Sequence, residues 1–436
     1  MITSFHLENF KSYNNKVSLP LTPLTLLIGA NASGKSNAIE GLRMLSGMAK
    51  GQYLTDVFRT LHKEGAIRGT LENLAYQPHP AFILGCSLDS TPPWRDLLIL
   101  IRSVRERLVV SEEKVTYPGA KVPLYVTPAP QVPSALPSDL TVAYNTLTEN
   151  KKGGYVLCRK EQAIFTQLTT PAHFSNEHKE AQEQIPRITQ AFRQALENIL
   201  FLDPAPRQMR GYSFITDKNL QGDGANLSSV LYDLCEQQEQ KERVLAFIQA
   251  LPEQDIHDIT FIKTPRNEVM VSLTETFGGQ TQAHDAATLS DGTLRVLAVA
   301  AALLSAPQES LVVIEEIDNG VHPSRARVLL QNIQRAADER NLHVLLTTHN
   351  PALVDALPLK AIPHVVCCYR DPAEGDSRLI RLESLPDYPE LIAQGPVGSL
   401  MTRGILERYL KNLSSRSPEQ KTAAALAWLD KLESED

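Results

Sequence analysis

Two distant stretches hold the residues best suited to chemistry on a polyphosphate. Residues 29–36 read GANASGKS, and residues 311–316 read LVVIEE. The first fits the pattern GxxxxGK[ST], with an apolar run before it and a helical pattern after it. Gly29 and Gly34 let such a loop wrap so that backbone N–H groups point inward at phosphate oxygens, with Asn31 and Asn37 in the same binding set. A helix starting near Lys35 adds partial positive charge. Lys35 supplies a full charge for the β- and γ-phosphates, and Ser36 offers a hydroxyl to Mg²⁺. The second stretch ends a short apolar strand on two adjacent carboxylates. Like charges side by side repel, burial raises the cost, and a cation would relieve both. With Mg²⁺ at Ser36, Glu315 is placed to help hold it, although Asp is commoner there. Glu316 then faces a water opposite the γ-phosphate, as general base or water-positioner. Taken alone, the two acids would equally suit the solvent-facing start of the next helix.

These residues need strands to carry them. Residues 24–28 (LTLLI), Leu311–Ile314 and residues 343–347 (HVLLT) are short continuous apolar runs, the pattern of strands buried on both faces. Each delivers polar residues at its C-terminal end: the glycine loop, the two glutamates, and His349. Helical patterns follow over 37–48 and 325–340. Apolar strands alternating with helices at both ends of the chain argue for a parallel α/β sheet. The middle third reads as an insertion. Proline crowds 118–137, which marks an extended surface connection. Residues 155–160 and 163–168 read as a hairpin, and 174–200 as a short helical arm interrupted at Pro186. Two helices are expected before Pro252, strands at 259–263 and 268–275, and a last strand pair within 364–383. The expected division is 1–90 for the first part of the lobe, 91–205 for the insertion, 206–385 for the second part, and 386–436 for a helical extension.

The 436-residue chain is 42% hydrophobic and 21% charged, ordinary for a globular protein. No run has the length of apolar sequence a membrane span needs, and the N-terminus lacks the charged-then-apolar order of a signal peptide. A cytoplasmic protein with no membrane partner is therefore expected. Five scattered cysteines without a CxxC pair argue against a disulfide frame or structural zinc. The net charge of −7 weighs against non-specific coating of nucleic acid and leaves nucleic acid open as a partner. A basic cluster at Lys151, Lys152, Arg159 and Lys160 reads as a solvated loop and strand end.

Residues 289–295, LSDGTLR, resemble the signature loop of ABC-type ATPases, usually LSGGQ. Ser290 and Gly292 match, while Asp291 and Thr293 depart from the commonest letters. On its own, Ser290 would serve as the cap of a helix starting here. The order of signature, strand carboxylates and then His349 favours the resemblance. It implies an α/β P-loop NTPase fold, an ABC-type ATPase head with a mixed β-sheet core flanked by helices and with inserted helical and β segments. It implies ATP and Mg²⁺ as cofactors, with Gly29, Asn31, Gly34, Lys35, Ser36 and Asn37 on the nucleotide, and Ser36 and Glu315 on the metal. Glu316 and His349 are then catalytic, the histidine contacting the γ-phosphate and orienting the water. Ser290, Asp291 and Gly292 would lie on the nucleotide bound by a second copy of the chain. Asp318 resembles the acid that touches the opposite protomer.

The opening residues through the GKSN of the loop resemble the RecF, SMC and OLD group, since transporter ATPases usually read GKST. Residues 315–323, EEIDNGVHP, resemble a run in small stand-alone AAA-type ATPases related to OLD and RecF. The likeness covers residues 1–50 and about 200–360, and the middle only loosely. A long coiled-coil arm and a DxD cluster of a C-terminal Toprim nuclease are both missing, so a separate effector such as a nuclease is the implied partner. The implied role is a homodimer, or higher homo-oligomer, that closes around ATP as a switch or sensor in DNA repair or anti-phage defence. The alternative is a slow scaffold that holds and releases a toxic effector. Gln77 is the candidate for the Q-loop glutamine, and Arg210 is expected near the nucleotide.

Overall fold

The structure, a computed structural model, describes residues 1–89, 93–127, 139–148, 153–249, 256–277, 280–319 and 323–413. Its central sheet has six strands, in the order Leu200–Leu202, Leu311–Ile314, His343–Thr348, Thr25–Ile28, Val366–Arg370 and Ser377–Arg381. The first five run parallel and the last pairs antiparallel, which makes the sheet mixed. Alternate residues enter two different cores. Leu27, Leu311, Val313, Leu345 and Cys368 belong to one; Leu26, Ile28, Val312, Ile314, Val344, Leu346 and Cys367 belong to the other. With both faces covered there is no solvent side to require polar residues, hence the uninterrupted apolar runs. Ile314 pairs with Leu346, and Thr348 with Ile28. The glutamates, His349 and the glycine loop therefore all leave from the carboxyl ends of three adjacent strands.

The helix Lys35–Ala49 follows the loop and buries Ala38, Ile39, Leu42, Leu45 and Met48. They share a core with an eight-stranded antiparallel sheet built from residues 2–159. The expected boundary at 90/91 falls between two paired strands of this sheet, Ala81–Leu88 and Asp96–Val104, and not between two units. Tyr125–Val126, inside the proline-rich stretch, is a further strand of it; residues 128–138 lie outside the described residues, as do Lys151 and Lys152.

Two expectations for the middle of the chain are corrected. Residues 154–159 do form a strand, but its partner is Asp139–Tyr144. Ile164–Thr166 is a 3₁₀ turn, held by the buried Glu113 carboxylate, which accepts from the Ile164 and Phe165 amides at 2.7 and 2.6 Å. The helix Lys179–Glu197 is no protruding arm and runs unbroken through Pro186. It packs on the phosphate-loop helix and buries Ile185, Ile188, Phe192 and Leu196. That burial offsets the hydrogen bond an interior proline forfeits.

A third sheet, of four strands, gathers Ser213–Phe214, Ile256–Lys263, Glu268–Phe277 and Gln280–Asp285. Helices Leu227–Cys235 and Gln238–Ile248 sit between it and the helix Asp291–Ser305, whose Leu294, Leu297, Ala301 and Leu304 are buried. Helices Tyr388–Ala393, Val397–Thr402 and Ile405–Leu413 close the described chain and add Leu391, Leu400 and Leu410 to the same core.

Candidate nucleotide site

The glycine loop is fastened from behind. Its Ser33 carbonyl accepts from Ser377 Oγ (2.6 Å) and Cys368 Sγ (3.4 Å), and its Gly34 carbonyl accepts from Tyr13 Oη (3.1 Å). Ser12 Oγ lies 2.7 Å from Ser377 Oγ and accepts from Asn37 Nδ2 at 2.8 Å. A Cβ at Gly29 would lie 2.2 Å from the Cys368 carbonyl oxygen. Gly34, at φ 121°, would put one 2.4 Å from Ser377 Oγ. Both positions need glycine because the neighbouring strand pair approaches so closely. Lys35 folds over the loop and donates to the Gly29 and Ala30 carbonyls at 2.6 and 3.0 Å. Burial lowers its pKa, against the opposing pull of Cys368, Glu316 and Asp318. Among the described residues no carboxylate reaches its ammonium, a cation held ready without an anionic partner.

In front of the loop opens a cleft of about 790 Å³, lined by Asn31, Gly34, Lys35, Ser36, Asn37, Glu315, Glu316 and His349, and also by Lys11, Arg68, Thr347 and Thr348. That size is in the range of small-ligand sites. Sequence patterning did not single out Lys11 or Arg68. Both bond the buried Glu40 carboxylate of the phosphate-loop helix, Arg68 Nε at 2.6 Å.

The two strand-end glutamates point to different partners. Glu315 accepts from Arg43 Nη2 at 2.8 Å, and the Arg43 guanidinium lies 4.6 Å over the Phe201 ring. A cation for Glu315 is thus supplied by the chain itself, two helical turns beyond Ser36. Glu316 adopts φ 47°, a left-handed conformation that costs a non-glycine residue on the order of 1 kcal/mol. Its amide donates to Thr347 Oγ1 at 2.9 Å and its exposed carboxylate accepts from Asn319 Nδ2 at 2.6 Å. The backbone twist separates the two charges. Burial pushes the Asp203 carboxyl up, an effect Arg43 and Arg295 oppose and Glu316 reinforces. His349 is half exposed, its Nδ1 3.7 Å from Asp318 Oδ2. Asp318, expected at an opposite protomer, is 6% exposed within its own chain, and its Oδ1 has no hydrogen-bond partner among the described residues.

Ser290, Asp291 and Gly292 do not line this cleft. Ser290 caps the helix Asp291–Ser305, its Oγ accepting from the Thr293 amide at 3.1 Å. Arg210, expected near the nucleotide, does not line the cleft either. It donates instead to the carbonyls of Ala287 (2.9 Å) and Leu289 (2.7 Å), more distantly to Ala286 (3.4 Å), and to the Asp291 carboxylate (2.6 Å). Gln77 is also outside the cleft, its amide donating to the Glu72 carbonyl at 3.4 Å. No glutamine lines the cleft among the described residues.

Two family profiles match the chain. Residues 157–355 match one described as "AAA domain, putative AbiEii toxin, Type IV TA system", and residues 1–76 match one described as "AAA ATPase domain". The first contains the signature, the glutamates and His349; the second contains the glycine loop. Among solved structures, the chain is similar to an Smc head bound to the C-winged helix domain of ScpA, at 13% identity and a TM-score of 0.47, covering 87% of this chain and 96% of that one. It is similar to the SMC head domain from Thermotoga maritima at 13% identity and a TM-score of 0.39, covering 87% and 98%. An Smc head domain from Pyrococcus furiosus shares 12% identity at a TM-score of 0.42, covering 90% and 99%. No curated protein sequence matches the chain.

Proposed function

We propose, from the matches of residues 1–76 and 157–355 to AAA-type ATPase profiles, that the chain binds and hydrolyses ATP, dimerises around two nucleotides, and works as a switch. The observation that carries this reading is the cleft. A phosphate loop, an unpaired lysine, a hydroxyl, two carboxylates and a histidine converge on it from the ends of three adjacent parallel strands.

Lys35 exchanges two carbonyl oxygens for the β- and γ-phosphates, a stronger, charge-assisted pairing. Magnesium fits the donor set. Ser36 and Glu315 offer oxygen ligands, and this ion characteristically takes one or two side chains beside substrate phosphates. Among the described residues no group of three or more His, Cys, Asp or Glu would hold a metal unaided. The buried Ser33 Oγ, unpartnered among the described residues, is one more polar atom of the loop available to a ligand. When bound, the ion would neutralise charge on the phosphates. Glu315, bonded to Arg43 in the structure, would then be shared with the ion. Glu316 orients the attacking water and accepts its proton, held in place by Asn319 and Thr347. His349 reaches the γ-phosphate from the next strand.

The loop around Ser290 and Gly292, which lies outside this cleft, is the natural complement to a nucleotide held by a second copy. Nucleotide then acts as the glue, and loss of the γ-phosphate loosens the pair. By the resemblance of its motifs, the cellular role is DNA repair or anti-phage defence with a separate effector. A second reading, a slow scaffold that restrains a toxic effector, draws support from the toxin–antitoxin description of the matching family profile. Glu316→Gln tests both. With ATP and magnesium it traps dimers, seen as a doubled solution mass. Phosphate release falls by about 100-fold or more if the wild type is a cycling ATPase. Wild-type turnover already at the variant's level selects the scaffold, and an unchanged mass rejects the nucleotide-bridged dimer.

A further inference from the structure

We propose that Arg210 is a positioning residue of the trans half-site, and that it acts by neutralising Asp291; this rests on the reading that the Ser290 loop meets a partner's γ-phosphate. The guanidinium is surrounded by acceptors: the carbonyls of Ala286, Ala287 and Leu289, and the Asp291 carboxylate at 2.6 Å. A planar fork of donors suits such a set, and an ammonium does not.

Asp291 is the first residue of the helix Asp291–Ser305, with its side chain 69% exposed. In an isolated chain a carboxylate there is favourable, since it answers the positive end of the helix. In a nucleotide-bridged dimer it is unfavourable. The same helix end must receive a terminal phosphate of like charge, which the Asp291 carboxylate would repel. Arg210 resolves the conflict. It cancels the carboxylate's charge and, through the three carbonyls, fixes the loop that presents Ser290.

Arg210 also has a structural link to the other half-site. It directly follows the short helix Pro206–Met209, which leads from the strand Leu200–Leu202. That strand pairs with Leu311–Ile314, and its Leu202 carbonyl accepts from the Glu315 amide at 3.0 Å. The Glu315 backbone is thus joined to the signature loop through Leu202, the chain that follows it and Arg210.

The test uses the full chain in a Glu316→Gln background, with ATP and magnesium. Dimerisation is read by sedimentation and nucleotide affinity by a fluorescent ATP analogue on the dilute monomer. Arg210→Gln is expected to weaken the dimer about tenfold to a hundredfold, with monomer affinity for the analogue changed less than twofold. Adding Asp291→Asn should restore most of the loss, because the carboxylate left uncompensated is then gone. Asp291→Asn alone should dimerise at least as tightly as its parent, and this variant does not depend on Arg210→Gln folding well. Unchanged dimerisation in Arg210→Gln overturns the proposal. So does a loss that Asp291→Asn fails to rescue, which would leave Arg210 a brace for the backbone only. Weaker dimerisation by Asp291→Asn alone also overturns it. Failure of the Glu316→Gln parent to dimerise at all defeats the underlying dimer reading, a result visible before any Arg210 variant is compared.

Discussion

The two candidate half-sites are built to different standards. The phosphate-loop side is braced from several distant parts of the chain: Tyr13, Ser12, Cys368 and Ser377 hold the loop, and Arg43 holds Glu315. Its cleft is formed within one chain. The signature side is an exposed helix start, with a serine cap and one arginine beneath it. A site that binds its ligand in cis can be completed by its own chain. One that meets a ligand in trans must stay open until the partner arrives, so its order rests on few contacts. The prediction is that nucleotide binding and dimerisation separate cleanly by mutation.

Lys35→Ala gives the largest effect. It removes the ammonium proposed to meet the phosphates, and with it the bonds to the Gly29 and Ala30 carbonyls, while leaving the braces from Tyr13, Cys368 and Ser377 in place. ATP affinity should fall about 100-fold, as charge-assisted bonds to phosphate imply. Dimerisation then disappears with it. Calorimetric titration of ATP into the variant checks this, and binding within a few-fold of wild type would break the assignment of the cis half-site.

Ser290→Ala should have a smaller and more selective effect. The cap contributes about 1 kcal/mol to the helix, and its hydroxyl is the group proposed to meet the partner's nucleotide. ATP binding to the monomer should be unchanged, while the ATP-dependent dimer in a Glu316→Gln background weakens about tenfold. A loss of monomer affinity would erase the distinction between the two half-sites.

What could be read in advance follows the same division. The three buried parallel strands and the loop between Ile28 and Lys35 were legible because both of their faces are apolar and their polar ends are local in sequence. Glu315's partner was not, because Arg43 lies on a helix far away in the chain and only the fold brings the two together. Arg210 illustrates the same blindness: its four acceptors, at 286, 287, 289 and 291, are brought to it only by the fold. The helix through Pro186 was misread because proline is a strong local signal, and the burial of Ile185, Phe192 and Leu196 that overrides it is tertiary. The strand expected at 163–168 failed for a related reason. A carboxylate some fifty residues upstream takes the amides a strand would have used.

That carboxylate gives the smallest effect at either site and a different kind of contrast. The acidic residues buried as whole residues, among those described, are Glu40, Glu113, Asp371 and Asp376. Glu113 is fully buried, and burial pushes its pKa to about 7, although the Tyr125 hydroxyl and the Ile164 and Phe165 amides pull it back. A folded pKa above the unfolded value of 4.5 means that the folded state holds the extra proton. Its contribution to stability is therefore complete below about pH 4.5, declines as pH rises to about 7, and is flat beyond. A shift of this size corresponds to about 3 kcal/mol across that window. Glu113→Gln should remove the slope, and should also destabilise the fold at every pH, because its amide nitrogen would confront a backbone donor. Denaturant unfolding at several pH values, wild type against variant, isolates the difference from other titrating groups. A wild-type advantage that grows as pH falls from 7 to 4.5 supports the assignment. An advantage that is constant with pH would mean that Glu113 stays ionised in the folded protein, with its three donors outweighing burial.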